Sequence, residues 1–108
     1  MSSSYKKYSM EADLLEISKA ARIIGSKWTL LILNSLLKGT KRFGELQREV
    51  GKINPRTLSK RLQDLEKEGY ITKKIFAQVP PKVEYSLTKK AQVFKKVVSA
   101  VKDCGEKM

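Results

Sequence analysis

The spacing of apolar residues changes after Gly69, and this change limits the folds that the chain can adopt. Before Gly69, apolar residues recur at intervals of three and four positions, which is typical of helices that bury one face. After it, residues 83–87 alternate between apolar and polar, a pattern that predicts a half-buried strand. Residues 70–76 are rich in β-branched and aromatic side chains and predict a partner strand, with Pro80 and Pro81 between the two. The sequence therefore predicts a mainly α-helical fold with a small β-hairpin.

Stripes of apolar residues predict a helix at each end of the chain. The first is predicted to begin after the N-cap Ser9 and to end at Gly25, and the last begins at Thr88. Between them, residues 26–37 are apolar on almost every side. A helix of this kind belongs in the middle of a domain.

Two further helices are predicted close together near the centre of the chain. The first is short, has apolar residues on one side and is stopped by Gly51. Asn54 is a favourable N-cap and Pro55 suits the first helical position, so a second helix is predicted there, ending at Gly69. A helix, a tight glycine-containing turn and a second helix form a helix-turn-helix. Together with the hairpin, the predicted architecture is a winged helix-turn-helix.

The charge of the chain indicates a negatively charged partner. Its 108 residues include 23 Lys and Arg against 11 Asp and Glu, which gives a net charge of +12. Such an excess on one small domain repels itself and favours nucleic acid or an anionic membrane as the partner. The longest apolar segment, residues 28–37, is too short to cross a bilayer, so nucleic acid is the better candidate and no membrane partner is expected.

The residue types that are missing argue against catalysis. The sequence has no histidine and no glycine-rich phosphate loop, so we expect no enzyme and neither a metal nor a cofactor. Residues 1–8 lack the apolar region of a signal peptide and are interpreted as a flexible basic tail, followed by a single domain at residues 9–108. The single cysteine, Cys104, fits a reducing compartment. We therefore expect a cytoplasmic protein associated with the nucleoid.

Cationic and amide side chains share one side of the helix predicted at residues 55–68. Leucines fix its buried side, and at about 100° per residue the opposite side carries Arg56, Lys60 and Gln63. A helix-turn-helix places the start of its second helix in the major groove, where arginine can bond guanine and glutamine can bond adenine. A solvated face with ordinary ion pairs is the alternative. The helix-turn-helix, the hairpin and the net charge together favour contact with DNA.

The tip of the hairpin is predicted to provide a second DNA contact. Within residues 77–83, Lys82 follows the proline pair and is expected to reach the flanking backbone or the minor groove. Lys73 and Lys74 on the first strand either contact DNA or guard an exposed sheet edge. The predicted DNA-binding residues are Arg42, Lys52, Asn54, Arg56, Thr57, Lys60, Arg61, Gln63 and Lys82.

Four stretches of the sequence, taken in order, resemble the motifs of one known family. They are similar to motifs of HxlR-type winged helix-turn-helix transcriptional regulators, over about residues 20–101. The stretches are residues 25–33 (GSKWTLLIL), 42–46 (RFGEL), 58–62 (LSKRL) and 79–88 (VPPKVEYSLT). The resemblance implies a homodimeric regulator whose terminal helices pair and whose winged helix-turn-helix binds DNA.

The chain departs from this family at a position associated with redox sensing. Many members have a Cys-Pro pair ahead of the first core helix, and in some the cysteine senses oxidants. This chain has Leu15 and Glu16 there, and Cys104 lies far from that position. A lone thiol at a helix end is more often inert than reactive, so we expect no redox response.

A homodimer is predicted because one short recognition helix reads too few bases for useful specificity. Two copies related by a two-fold axis would read half-sites about one helical turn apart. The apolar stripes on the terminal helices exceed the needs of one small core, although both stripes could instead cap that core. The predicted dimer interface consists of Met10, Leu14, Ile17, Ala21, Phe94, Val97, Val98 and Val101.

Two other classes of function compete with DNA binding. A winged-helix domain can act as a protein–protein interaction module in a larger assembly, but such a module need not keep a basic recognition face. RNA binding would call for exposed stacking aromatics, whereas most aromatics here occupy apparent core positions. We therefore expect a sequence-specific, DNA-binding transcriptional regulator, and the sequence leaves open whether it senses a small-molecule effector.

Overall fold

The computed structural model describes the backbone of residues 2–108 and the side chains from Met10 onward. The elements in this part of the chain are α1 (Ser2–Ile24), α2 (Lys27–Leu37), β1 (Lys41–Arg42), α3 (Phe43–Glu49), α4 (Pro55–Lys67), β2 (Ile71–Phe76), β3 (Lys82–Leu87) and α5 (Phe94–Glu106), with a 3-10 helix at Lys89–Val93. Helices α3 and α4 with the β2–β3 hairpin confirm the predicted winged helix-turn-helix.

The described strands form one antiparallel sheet in the order β1-β3-β2. The predicted hairpin consists of β2 and β3, whose register pairs Phe76 with Lys82 beside the tip. Strand β1 was not predicted from the sequence, and its Lys41 pairs with Tyr85 of β3. A strand of two residues is too short to show alternation, and it forms where β3 presents its free edge to the start of α3.

Helix α2 lies between two clusters of buried side chains, which explains why it is apolar on almost every side. Ile32 is fully buried in the larger cluster, together with leucines of α3 and α4. Leu33 is fully buried in the smaller cluster, which it shares with Ala91, Phe94 and Val98 at the C-terminal end of the chain. The helix therefore joins the helix-turn-helix to α5.

The terminal helices differ from the predicted ones at their starts. Helix α1 begins at Ser2 rather than after Ser9, because neither glycine nor proline interrupts the chain before Gly25. Met1 and the side chains of residues 2–9 lie outside the described part of the chain, so only a backbone assignment from Ser2 bears on the flexible tail predicted at residues 1–8. At the other end, Thr88 does not cap a helix with its hydroxyl, which instead donates to the carbonyl oxygen of Gly69 at 2.7 Å. A 3-10 turn therefore precedes α5.

Helix α1 projects from the rest of the protomer. All of its described residues from Met10 to Arg22 are exposed, and only Ile23 and Ile24 in its last turn are half-buried against the core. An isolated helix gains little stability from propensity alone, and α1 leaves Met10, Leu14 and Ile17 exposed on one side. Within residues 2–108 we find no helix long and apolar enough to span a bilayer.

Candidate nucleic-acid interface

The turn between α3 and α4 fixes where the second helix begins. Gly51 and Lys52 both have positive φ angles, of 81° and 49°, which reverse the chain within two residues. Ile53 follows with 2% of its surface exposed and anchors the turn in the core. The side chain of Asn54 then accepts a hydrogen bond from the backbone N–H of Arg56 at 2.8 Å, so Asn54 acts as the predicted N-cap.

The outer face of α4 presents the side chains that the sequence placed there. Arg56, Lys60 and Gln63 are exposed, whereas Leu58, Leu62 and Leu65 on the opposite side are buried. This division follows from the helical repeat, which separates the two sets by about half a turn. Thr57 is half-buried at the edge of the exposed face.

Lys60 is the member of this face that has an intramolecular partner. Its Nζ lies 3.0 Å from Oδ1 of Asp64, one helical turn later, and both side chains are largely exposed. Exposed ion pairs of this spacing contribute only about 0–1 kcal/mol. Lys60 could therefore leave Asp64 for a DNA phosphate with little loss of free energy.

Arg61, one of the predicted DNA-binding residues, lies beside the exposed face and not on it. It is half-buried and lines a cavity of about 150 Å³ between α4 and the end of α1. Five residues after Arg56, its side chain is rotated by about 140° around the helix, which turns it toward the core side. The other lining residues are Arg22, Ile23, Thr29, Asp64, Leu65 and Glu68.

The cationic side chains around α3 are of two kinds: some are exposed, and one forms an ion pair within the protein. Arg42 at the start of α3 and Lys52 in the turn after it are both exposed. Lys41, in contrast, has its Nζ 3.0 Å from Oε2 of Glu49, and 17% of its side chain is exposed. The other carboxylate oxygen of Glu49 accepts from the Ser35 hydroxyl at 2.7 Å. The hydrogen bonds from Ser35 and Lys41 lower the pKa of Glu49, so its negative charge holds Lys41 in place.

The tip of the hairpin differs from the predicted basic finger. Residues 77–81 are exposed but include no cation, and Gln78 carries their only polar side chain. Lys82 is half-buried at the start of β3, where its Nζ lies 3.2 Å from Oε2 of Glu84 and 4.8 Å from the centre of the Phe76 ring. Lys82 and Glu84 lie two positions apart on the same face of β3, whereas Phe76 becomes a neighbour of Lys82 only through the register of the hairpin.

The residues predicted for the dimer interface separate into two groups. Met10, Leu14 and Ile17 on α1 are 65–70% exposed. Ala21 and Val101 are also exposed, and Val97 is half-buried. Phe94 and Val98, in contrast, belong to the protomer's own core, with 6% and 5% of their surfaces exposed. The prediction is corrected for these two, because they fill the space beneath Leu33 of α2.

One contact of α4 could not be expected from the sequence. The guanidinium of Arg22 donates two hydrogen bonds to the carboxylate of Glu68, at 2.8 and 3.2 Å. This pairing raises the pKa of Arg22 and lowers the pKa of Glu68, mainly through the hydrogen bonds between them. The two residues are 46 positions apart and match no local motif.

Comparisons with known proteins agree with this architecture. A family model described as HxlR-like helix-turn-helix matches residues 23–108. YdeP of Bacillus subtilis (strain 168), an uncharacterized HTH-type transcriptional regulator, is 45% identical over 85 residues, which are 79% of this chain and 66% of YdeP. An uncharacterized HTH-type transcriptional regulator of Methanothermobacter thermautotrophicus is 37% identical over 93 residues, or 86% of this chain and 71% of that protein.

A solved structure extends the similarity to three dimensions. The redox regulator HypR in its oxidized form has a TM-score of 0.81 and 34% sequence identity, over 86% of this chain and 96% of HypR. The residues that the family model matches, 23–108, include both helices of the helix-turn-helix and the hairpin. The chain belongs to the HxlR-like helix-turn-helix family.

Proposed function

We propose that this protein is a transcriptional regulator that binds specific sites in double-stranded DNA as a homodimer. The observation that carries the proposal is the outer face of α4, where Arg56 and Gln63 point to solvent opposite a row of buried leucines. Membership of a helix-turn-helix family supports it. The net charge of +12 supplies the attraction to phosphate that such binding requires.

In this proposal, α4 enters the major groove and two side chains read bases. The Arg56 guanidinium donates both hydrogen bonds to O6 and N7 of a guanine, and the Gln63 amide pairs with N6 and N7 of an adenine. Seven residues separate them, which is about 10 Å along the helix axis, so they reach different base pairs. The leucines on the far side hold this face rigidly against the core.

Phosphate contacts come from the ends of α3 and the start of α4. Arg42 and Lys52 are exposed and bind the backbone on either side of the groove, and Lys60 exchanges Asp64 for a phosphate. Asn54 uses its oxygen as the helix cap, which leaves its amide N–H groups to donate to phosphate. These contacts fix the register of the protein on the duplex.

The wing contributes less to affinity than its sequence suggests. Lys82 must leave Glu84 and the Phe76 ring before it can bind a phosphate. The exposed tip, residues 77–81, reaches the flanking minor groove mainly through Gln78 and the backbone.

The homodimer forms through the α1 arm in this proposal. Met10, Leu14 and Ile17 lie on one side of an exposed helix, and Val97 and Val101 offer a further apolar surface on α5. Burying them against a second copy removes this exposed apolar surface from water. We place the protein in the cytoplasm, in association with the nucleoid.

The experiment that tests the proposed function is selection of duplexes from a random DNA library by the purified protein. The expected result is enrichment of an inverted repeat that is bound more weakly as salt concentration rises. Equal retention of all sequences, or preferential retention of RNA in a parallel library, would contradict it.

A further inference from the structure

The last turn of α4 connects the helix to the α1 arm through one side chain. Glu68 is the C-cap of α4, and its carboxylate receives both hydrogen bonds from Arg22, two residues before the end of α1. A bidentate pair of this kind restricts the direction of approach as well as the distance. It joins the arm proposed for dimerisation directly to the helix proposed for DNA recognition.

The same turn is also connected to the C-terminal part of the chain. Lys90 donates to the carbonyl oxygen of Glu68 at 2.7 Å, and its Nζ lies 4.4 Å from the centre of the Tyr70 ring. The Thr88 hydroxyl donates to the carbonyl oxygen of Gly69, and the Tyr70 ring packs edge-on against Phe94 at 4.9 Å. Backbone and core contacts therefore hold α4 firmly to the start of α5.

The connection to α1 is much sparser. Its described residues before Ile23 are exposed, so packing by Ile23 and Ile24 and the pairing of Arg22 with Glu68 set the direction of the arm. Met10 lies about 21 Å along the helix from Ile24. A tilt of about 10° at the base of the arm would move Met10 by about 3.6 Å, close to the rise of one base pair.

We propose that Glu68 is a positioning residue, which through Arg22 sets the angle between the α1 arm and α4 and hence the separation of the two recognition helices in the dimer. This inference rests on the proposed function. It assigns Glu68 no contact with DNA, and it concerns which half-site spacing the dimer accepts rather than which bases it reads. Loss of the pair leaves each protomer folded, because the pair is exposed and the core contacts of Ile23 remain.

The direct test measures the distance between the two copies of α4 in the dimer without DNA. A spin label is attached to Ser59→Cys in a Cys104→Ser background, since Ser59 is exposed on α4 and is assigned no role in binding. Glu68→Gln and Arg22→Gln are compared with the parent. Glu16→Gln is the matched control, because it removes the same charge from a pair, with Lys19, that lies wholly within α1.

The expected result is a single narrow distance distribution in the parent and in Glu16→Gln. In Glu68→Gln and Arg22→Gln, the distribution widens or shifts by about 3 Å or more, as a tilt of the arm requires. Distributions identical to the parent in both variants would overturn the inference. If one variant unfolds, as judged by circular dichroism, the other decides the outcome.

A DNA-binding measurement separates this inference from the proposed function. Affinity is measured for the selected operator, for versions with one base pair added to or removed from the spacer, and for a duplex with one half-site. In Glu68→Gln, the ratio of affinities for the selected operator and for the operators with altered spacers is expected to fall by up to about fivefold, which corresponds to the energy of an exposed ion pair. The variant is expected to bind the single half-site as the parent does. If the parent binds no duplex specifically, the proposed function fails; if it does and Glu68→Gln keeps the parent's spacing preference, only the inference fails.

Discussion

The side-chain oxygen of Asn54 accepts the backbone N–H of Arg56 at 2.8 Å, so the residue that begins the recognition helix also fixes the backbone that carries its first cation. Replacing Asn54 by alanine removes the cap and is expected to lower the free energy of unfolding by about 1 kcal/mol. Urea unfolding followed by circular dichroism measures this change. Asn54→Asp, which keeps the acceptor, is expected to retain the stability of the parent, and equal loss in both variants would show that the cap is not responsible.

The dimer interface proposed on α1 is tested by one charged substitution. Leu14→Glu places a carboxylate among the exposed apolar residues of the arm and is expected to shift the mass in solution from dimer to monomer, because burial of an unpaired charge is costly. Sedimentation equilibrium gives the mass. Ala12→Glu, on the opposite side of the same exposed helix, is the control and is expected to remain dimeric. A monomeric parent, or a dimeric Leu14→Glu variant, would contradict this interface.

The response to oxidants follows from the position of the only cysteine. Cys104 is free and exposed on α5, and no second cysteine exists within the chain to resolve an oxidised thiol. We expect mild peroxide to leave operator affinity unchanged, and Cys104→Ser to bind as the parent does in both conditions. Loss of binding with peroxide that reductant restores and that Cys104→Ser prevents would show a thiol switch after all.

The stability of the fold is expected to decrease in acid because of Glu49. The Ser35 hydroxyl and Lys41 lower the pKa of the Glu49 carboxyl in the folded state. The stabilisation is therefore complete above the pKa that Glu49 has in the unfolded chain, and it is lost as pH falls through the pKa that Glu49 has in the folded protein. The loss therefore begins below the ordinary glutamate pKa of about 4.3.

Urea unfolding at a series of pH values measures this dependence. Glu49→Gln is expected to be less stable than the parent at neutral pH and to show a weaker decline in acid. Ser35→Ala should move the profile in the same direction, because it removes the first cause of the lowered pKa. A parallel decline in the parent and Glu49→Gln would assign the acid sensitivity to other groups.

Local patterns predicted most of the fold, and long-range contacts account for the rest. The leucines of α4, the Asn54–Pro55 start and the alternation in β3 are encoded within a few residues, so their structural assignments were confirmed. Pairing of Arg22 with Glu68, and of Lys41 with Glu49, depends on how elements pack and leaves no sequence pattern. Phe94 and Val98 looked like surplus apolar residues because the sequence does not reveal that Leu33 faces α5.

The exposed face of α4 was predicted more accurately than the wing. A helical repeat fixes the direction of Arg56 and Gln63 once the buried leucines are known, and it also rotates Arg61 away from them. The side chain of Lys82 is held instead by the strand register, which brings it beside Phe76, and by its ion pair with Glu84 within β3. The sequence therefore overestimated how accessible the Lys82 side chain is to DNA.

Base readout by α4 is tested most directly by repeating the DNA selection with Arg56→Ala. We expect this variant to bind the parent's operator about 1–3 kcal/mol more weakly and to lose its preference at one base pair in each half-site, because a bidentate contact to guanine is absent. Lys95→Ala, which removes an exposed cation from α5, is the control and should keep the parent's sequence preference. If Arg56→Ala enriches the same operator with the same affinity as the parent, α4 does not read DNA in the way proposed.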